Sequence, residues 1–149
     1  MQIAANPSLW IPLSVVLGVQ LFKFLWEWFR LRDFDLRVLT RAGGMPSSHS
    51  AMVTSLATSI GYRQGTQSDL FALAVVLALI VMYDAAGVRQ SAGKQARVLN
   101  QILRELFSGQ PVSEQELKEL IGHTPFEVFV GALVGILYSA LWFEVLGME

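Results

Sequence analysis

Gly43-Gly44-Met45-Pro46-Ser47-Ser48-His49-Ser50-Ala51 sets a turn, three hydroxyls and a histidine against the start of a long apolar run. Two glycines allow backbone geometry that other residues resist, Pro46 suits the first turn of a helix, and serines cap the N–H groups there. A helix N-terminus attracts anions, and a histidine close to it exchanges protons with whatever binds. A serine-rich cap with an incidental histidine fits this stretch equally well. The choice between the two readings rests on the rest of the chain.

Working outward, the helix from Pro46 to about Tyr62 is dominated by Ser50, Ala51, Thr54, Ser55, Ala57, Thr58 and Ser59. Small and hydroxylated residues face lipid poorly but let helices approach closely, so this helix is expected at the centre of a bundle. On its N-terminal side, Leu9 to Phe29 is an apolar span ending in Trp26, Trp28 and Phe29, which suit an interfacial belt. No A-x-A-like cleavage site follows, so it reads as a retained span rather than a signal peptide. Lys23 lies about two turns inside that end; it either snorkels to the boundary or has an anionic partner. On the C-terminal side, Leu70 to about Ala86 is a third span, closing with Tyr83-Asp84-Ala85-Ala86-Gly87-Val88-Arg89. Asp84 and Arg89 are either an interfacial ion pair or part of a polar site.

From Ser91 to Phe107 the chain is too polar to span, yet Ala92, Ala96, Leu99, Leu103 and Leu106 recur at threes and fours. An amphipathic helix at the membrane surface or over the site is expected there. Ser113 with Glu116 makes a capping-box pattern opening a short helix to about Ile121. The turn Gly122-His123-Thr124-Pro125 precedes a last span, Phe126 to Leu146, with Glu127 one turn after His123.

Composition agrees. The 149 residues are 53% apolar and only 15% charged, and the mean hydropathy is +0.47. Apolar residues gathered in long runs make this a multi-pass membrane protein, an all-α bundle of about four transmembrane helices with the amphipathic and short helices on the cytoplasmic side. One domain is expected over residues 1–149. A net charge of −1 argues against nucleic acid as a partner, and the absence of cysteine excludes disulfides and thiolate metal sites. The segments 30–44 and 88–123 hold Arg30, Arg32, Arg37, Arg41, Arg89, Lys94, Arg97, Arg104 and Lys118, nine of the eleven Lys and Arg, which puts both in the cytoplasm and both termini outside. Small-residue helices point to tight packing within a chain or between copies in a homo-oligomer.

That topology gathers the His49 end of the second span, Asp84 and Arg89 at the end of the third, His123 and Glu127 at the start of the fourth, and Lys23 and Arg30 of the first on one face. The chain has two histidines. Both stand at the start of an apolar helix, behind a Pro, Ser, Thr or Gly turn, and on that one face. A phosphate ester needs cations and N–H dipoles around its oxygens, a nucleophile in line with the leaving oxygen, and an acid to protonate that oxygen. Glu127 is placed to accept Nδ1–H of His123 and leave Nε2 free as the nucleophile.

These residues resemble the type 2 phosphatidic acid phosphatase superfamily, which includes the vanadium-dependent haloperoxidases, and most closely its small divergent membrane branch. Lys23 and Arg30 are similar to its first motif, with Leu31 where Pro follows. Pro46-Ser47-Ser48-His49 resembles Pro-Ser-Gly-His, with Ser48 in the Gly position. His123-x-x-x-Glu127-Val128-x-x-Gly131 resembles His-x-x-x-Asp-Val-x-x-Gly. The stretch from Tyr83 to Ala96 further resembles the divergent branch. The third motif's leading Arg is replaced by Leu117, for which Arg89 is the natural substitute and Lys94 the second candidate.

The resemblance implies a membrane-embedded phosphatase-like domain that needs no metal or cofactor and works through a phosphohistidine. His123 would attack phosphorus, Glu127 would orient it, and His49 would protonate the departing alkoxide and then activate water. Lys23, Arg30, Arg89, Lys94, Ser47 and Ser48 would hold the phosphoryl oxygens. Asp84 has no counterpart; it would orient Arg89 or, with Glu127 and a histidine, bind a divalent cation. The expected substrate is a lipid phosphate at the cytoplasmic leaflet of the cell membrane, first a phosphatidylglycerol-phosphate-like monoester, then a polyprenyl phosphate or pyrophosphate. The rival expectation is a non-catalytic protein that binds or carries a lipid phosphate, as the replacements at Leu31, Ser48, Leu117 and Glu127 would suit.

Overall fold

A computed structural model describes residues 6–32, 44–106, 123–145 and 147. The expected short helix at 113–121 lies outside them, as does Leu117. Helix α1 spans Pro7–Leu31, α2 Ser48–Gln64, α3 Asp69–Ala86, α4 Val88–Leu106 and α5 Pro125–Ala140, the last continuing as a π-helical turn through Leu141–Val145.

Caps set most of these boundaries. Asn6 accepts a hydrogen bond from the Ser8 N–H (3.1 Å) with Pro7 in the first turn, so α1 begins two residues before the apolar run. It ends at Arg32 in the left-handed region (φ 52°). Ser68 caps α3 by accepting from the Phe71 N–H at 3.2 Å. Pro46 departs from expectation. It precedes the cap rather than entering the first turn, and the Met45–Pro46 bond is cis. The reason is Ser47, which is extended (φ −68°, ψ 115°) and whose Oγ takes the Ser50 N–H, so the helix starts at Ser48.

Helix α2 packs against α1, α3 and α5 and is the centre of the bundle. Small residues make the contacts. Ser55 and Ser139 hydroxyls meet at 2.7 Å, Ser139 also donates to the Ser55 carbonyl at 3.1 Å, and Thr54 donates to the Ala132 carbonyl of α5 at 3.1 Å. A Cβ on Gly131 would run into the Ser47 backbone, and one on Gly135 into the Ala51 carbonyl and the Thr54 hydroxyl. Glycine at these two positions is what lets α5 lie against α2.

Pro7–Leu31, the apolar part of Asp69–Leu103, and Pro125–Val145 are long and apolar enough to cross a membrane. Large apolar side chains such as Leu17, Leu21, Leu73, Ile80, Phe129 and Leu137 face outward, as lipid-facing residues do. Helix α2 is not apolar enough for that count, because its surface consists of the serines and threonines that the other helices cover. Its 17 residues still extend about 25 Å.

Candidate functional site at the shared helix ends

Four chain ends meet at one end of the bundle: the C-terminal part of α1, the start of α2, the end of α3 and the start of α5. Two backbone hydrogen bonds fasten them. The Ser47 N–H donates to the Glu127 carbonyl at 3.2 Å, setting the N-termini of α2 and α5 side by side, and the His123 N–H donates to the Ala85 carbonyl at 3.2 Å, tying α5's lead-in to the last turn of α3. Two helix N-termini in contact concentrate positive dipole potential at one point.

The start of α5 is a complete capping box. Thr124 Oγ1 accepts from the Glu127 N–H (3.3 Å), while Glu127 Oε2 accepts from the Thr124 N–H (2.8 Å). His123 therefore precedes the helix rather than sharing a helical face with Glu127. The cap brings them together instead: His123 Nδ1 lies 3.5 Å from Glu127 Oε2. That nitrogen is buried and has no hydrogen-bond partner, the carboxylate oxygen being engaged by Thr124. Thr124 was readable from sequence, since Thr-x-x-Glu at 124–127 is the same signature as Ser113 with Glu116.

Burial pushes the His123 imidazole below its usual pKa, and the Lys23 charge pushes it further down. Glu127 opposes both, while His49 adds a smaller downward push. Lys23 is buried, 8% exposed, within the reach of the Glu127 carboxylate. Lys23, His49, His123 and Glu127 thus form one electrostatic group. Ser47 and Ser48 are buried beside it, and Ser50 Oγ donates to Ser47 Oγ at 3.0 Å.

The other expected residues stand further out. Asp84 is half-buried in the last turn of α3, next to the carbonyl that takes the His123 N–H. Arg30 and Lys94 are exposed, and among the described residues no contact joins either to the cluster. Arg89 falls at the start of α4, and its side chain lies outside the description. No three His, Asp or Glu side chains among the described residues lie close enough together to hold a metal ion.

The arrangement can receive an anion. It offers a buried ammonium, two converging helix N-termini, and two imidazoles, one of which burial and the Lys23 charge push toward its neutral form. Residues 4–138 match the family described as the Divergent PAP2 family. The chain is also 38% identical to YuiD, an uncharacterized membrane protein of Bacillus subtilis (strain 168), over 93% of this chain and 95% of that one. No solved structure matches it.

Proposed function

We propose, from the premise that the chain belongs to the Divergent PAP2 family, that it is a multi-pass membrane phosphatase hydrolysing a lipid phosphomonoester through a phosphohistidine. One observation carries the reading: His123 is buried, set against Glu127, and in electrostatic contact with both Lys23 and His49. A binding site alone needs cations and dipoles. A buried imidazole pushed toward its neutral form, with a second imidazole near enough to feel its charge, suits nucleophile and acid.

In this mechanism the phosphoryl oxygens lie over the starts of α2 and α5 and against Lys23. His123 Nε2 attacks phosphorus as the ester P–O bond breaks, and His49 gives its proton to the departing alkoxide. Water, deprotonated by His49, then attacks the phosphohistidine, releasing phosphate and restoring the imidazole. Glu127 steadies the cation that His123 becomes during the first step. The substrate we favour is a phosphatidylglycerol-phosphate-like monoester at the cytoplasmic leaflet, ahead of a polyprenyl phosphate or pyrophosphate. Binding or carriage of a lipid phosphate without turnover is the competing reading.

The test is purified protein in detergent, offered a panel of lipid phosphates with and without EDTA. Phosphate release insensitive to chelation, abolished in His123→Ala and accompanied by an acid-labile, base-stable phosphoprotein, is the expected result. Release that persists in His123→Ala removes the nucleophile assignment. Binding without release at any pH favours the carrier, and loss of release with EDTA favours a metal site.

A further inference from the structure

Helix α4 carries an exposed apolar face that the proposed chemistry does not use. Val98, Ile102 and Leu106 are 58%, 44% and 73% exposed, although Asn100 between them is 1% exposed. So one side of α4 is covered and another is bare. The bare side has a history along the chain. Gly87 separates the two helices: its N–H donates to the Tyr83 carbonyl (2.9 Å) as the last bond of α3, and its carbonyl accepts from the Ser91 N–H (3.0 Å) as the first bond of α4. Counted in steps of three and four, Leu73, Leu77, Ile80 and Tyr83 on α3 lead through Gly87 to Ser91, Gln95, Val98, Ile102 and Leu106, and every side chain on that path is exposed. Ala74, Ala78, Ala85, Gly93 and Asn100, all buried, follow the opposite path. By residue count, the bare side of α4 thus follows the exposed side of α3 across the break at Gly87.

The middle of this stripe changes character. A groove of about 420 Å³ is lined by Tyr83, Gly87, Ser91, Ala92 and Gln95, which offer a phenol, a hydroxyl and an amide. Apolar side chains resume beyond it. Exposed Lys94 and Arg97 lie along one edge of the stripe, and Val88–Leu106 holds four basic residues (Arg89, Lys94, Arg97, Arg104) against one acidic residue, Glu105. An apolar face bordered by cations suits an anionic lipid surface, where each cation is drawn in. A second copy of the chain would instead set this basic helix against its like.

We propose that the exposed face of α4 rests on the anionic surface of the membrane that α3 crosses, with a phospholipid headgroup in the groove between Tyr83 and Gln95. This rests on α3 spanning the membrane and is independent of catalysis. The chain has no cysteine, so single-site spin labels report on it directly. Labels at Val98→Cys, Ile102→Cys and, for contrast, Gln101→Cys are placed in the full chain, in nanodiscs containing phosphatidylglycerol or phosphatidylcholine alone. Collisions with oxygen, which favours lipid, are compared with collisions with a water-soluble nickel chelate. In phosphatidylglycerol, the oxygen-to-nickel ratio at 98 and 102 should exceed that at 101 severalfold, and the excess should shrink in phosphatidylcholine. Arg97→Glu should lower the ratio at 102 in phosphatidylglycerol. Nickel access at 98 and 102 would overturn the proposal by placing the face in water. Shielding from both reagents would overturn it in favour of a second copy or another protein, and equal ratios in the two lipids would remove the anionic surface.

Discussion

His123 sits under opposed influences, and their signs make a measurable pattern. Burial and the Lys23 charge favour its neutral form, while Glu127 favours the protonated one. A nucleophilic imidazole must be neutral, so activity should fall on the acid side as His123 takes up a proton, at a pH below the ordinary imidazole range. Removing Glu127's charge deletes the influence that raises the pKa, so Glu127→Gln should move the acid limb of kcat/KM to lower pH. Lys23→Met deletes one that lowers it and should move the limb up. Limbs that shift together, or not at all, would count against this electrostatic grouping. Glutamine at 127 can still close the capping box on Thr124, so its stability cost should be small. Its effect on kcat should be large, about 10²- to 10⁴-fold if Glu127 steadies the charged imidazole. Equal losses of stability and activity in Glu127→Gln would mean that the carboxylate serves the cap alone.

At the scale of elements, the close approach of α5 to α2 depends on Gly131 and Gly135. The atoms an added Cβ would meet are chiefly backbone, which cannot swing aside. Gly131→Ala and Gly135→Ala should each destabilise the protein by about 1–3 kcal/mol, the usual cost of overpacking. Gly18→Ala, where nothing lies within 4 Å, is the control and should be neutral or slightly stabilising. Tryptophan-monitored thermal unfolding in detergent reads the difference; equal melting points across the set would show that the interface yields. Much of this was legible in the sequence, because the serines and alanines of α2 announce a helix that other helices must cover. The pairing of Gly131 with Ser47 was not. It depends on a three-dimensional approach between stretches more than 80 residues apart. His123 stands in the turn where the sequence puts it, but what brings Glu127 to it is not the i,i+4 spacing of a shared helical face: Thr124 is the cap, and the capping box sets the carboxylate beside the imidazole.

For the whole molecule, the decisive property is that its two ends differ. One end gathers Lys23, His49, His123 and Glu127. The other is closed by hydrogen bonds, with Arg63 donating to Asn6 Oδ1 at 2.8 Å and the Tyr62 hydroxyl donating to Glu144 at 2.9 Å, which tie α2 to the beginning of α1 and the end of α5. The positive-inside bias, legible from charge counting alone, predicts a cytoplasmic position for the first end, which labelling can test. The count of spans was less legible, since α2 lacks the hydropathy of a lipid-facing helix and takes its place through packing. Gln67, in the turn between α2 and α3, and Gln101, on α4, lie beyond opposite ends of α3. In intact cells, Gln67→Cys should react with a membrane-impermeant maleimide, and Gln101→Cys only after permeabilisation. The reverse pattern would turn the molecule over and move its substrate to the outer leaflet, leaving the chemistry intact. Labelling of both from one side would mean that α3 does not cross at all, and the convergence of helix ends would then have to be explained without a membrane between the two faces.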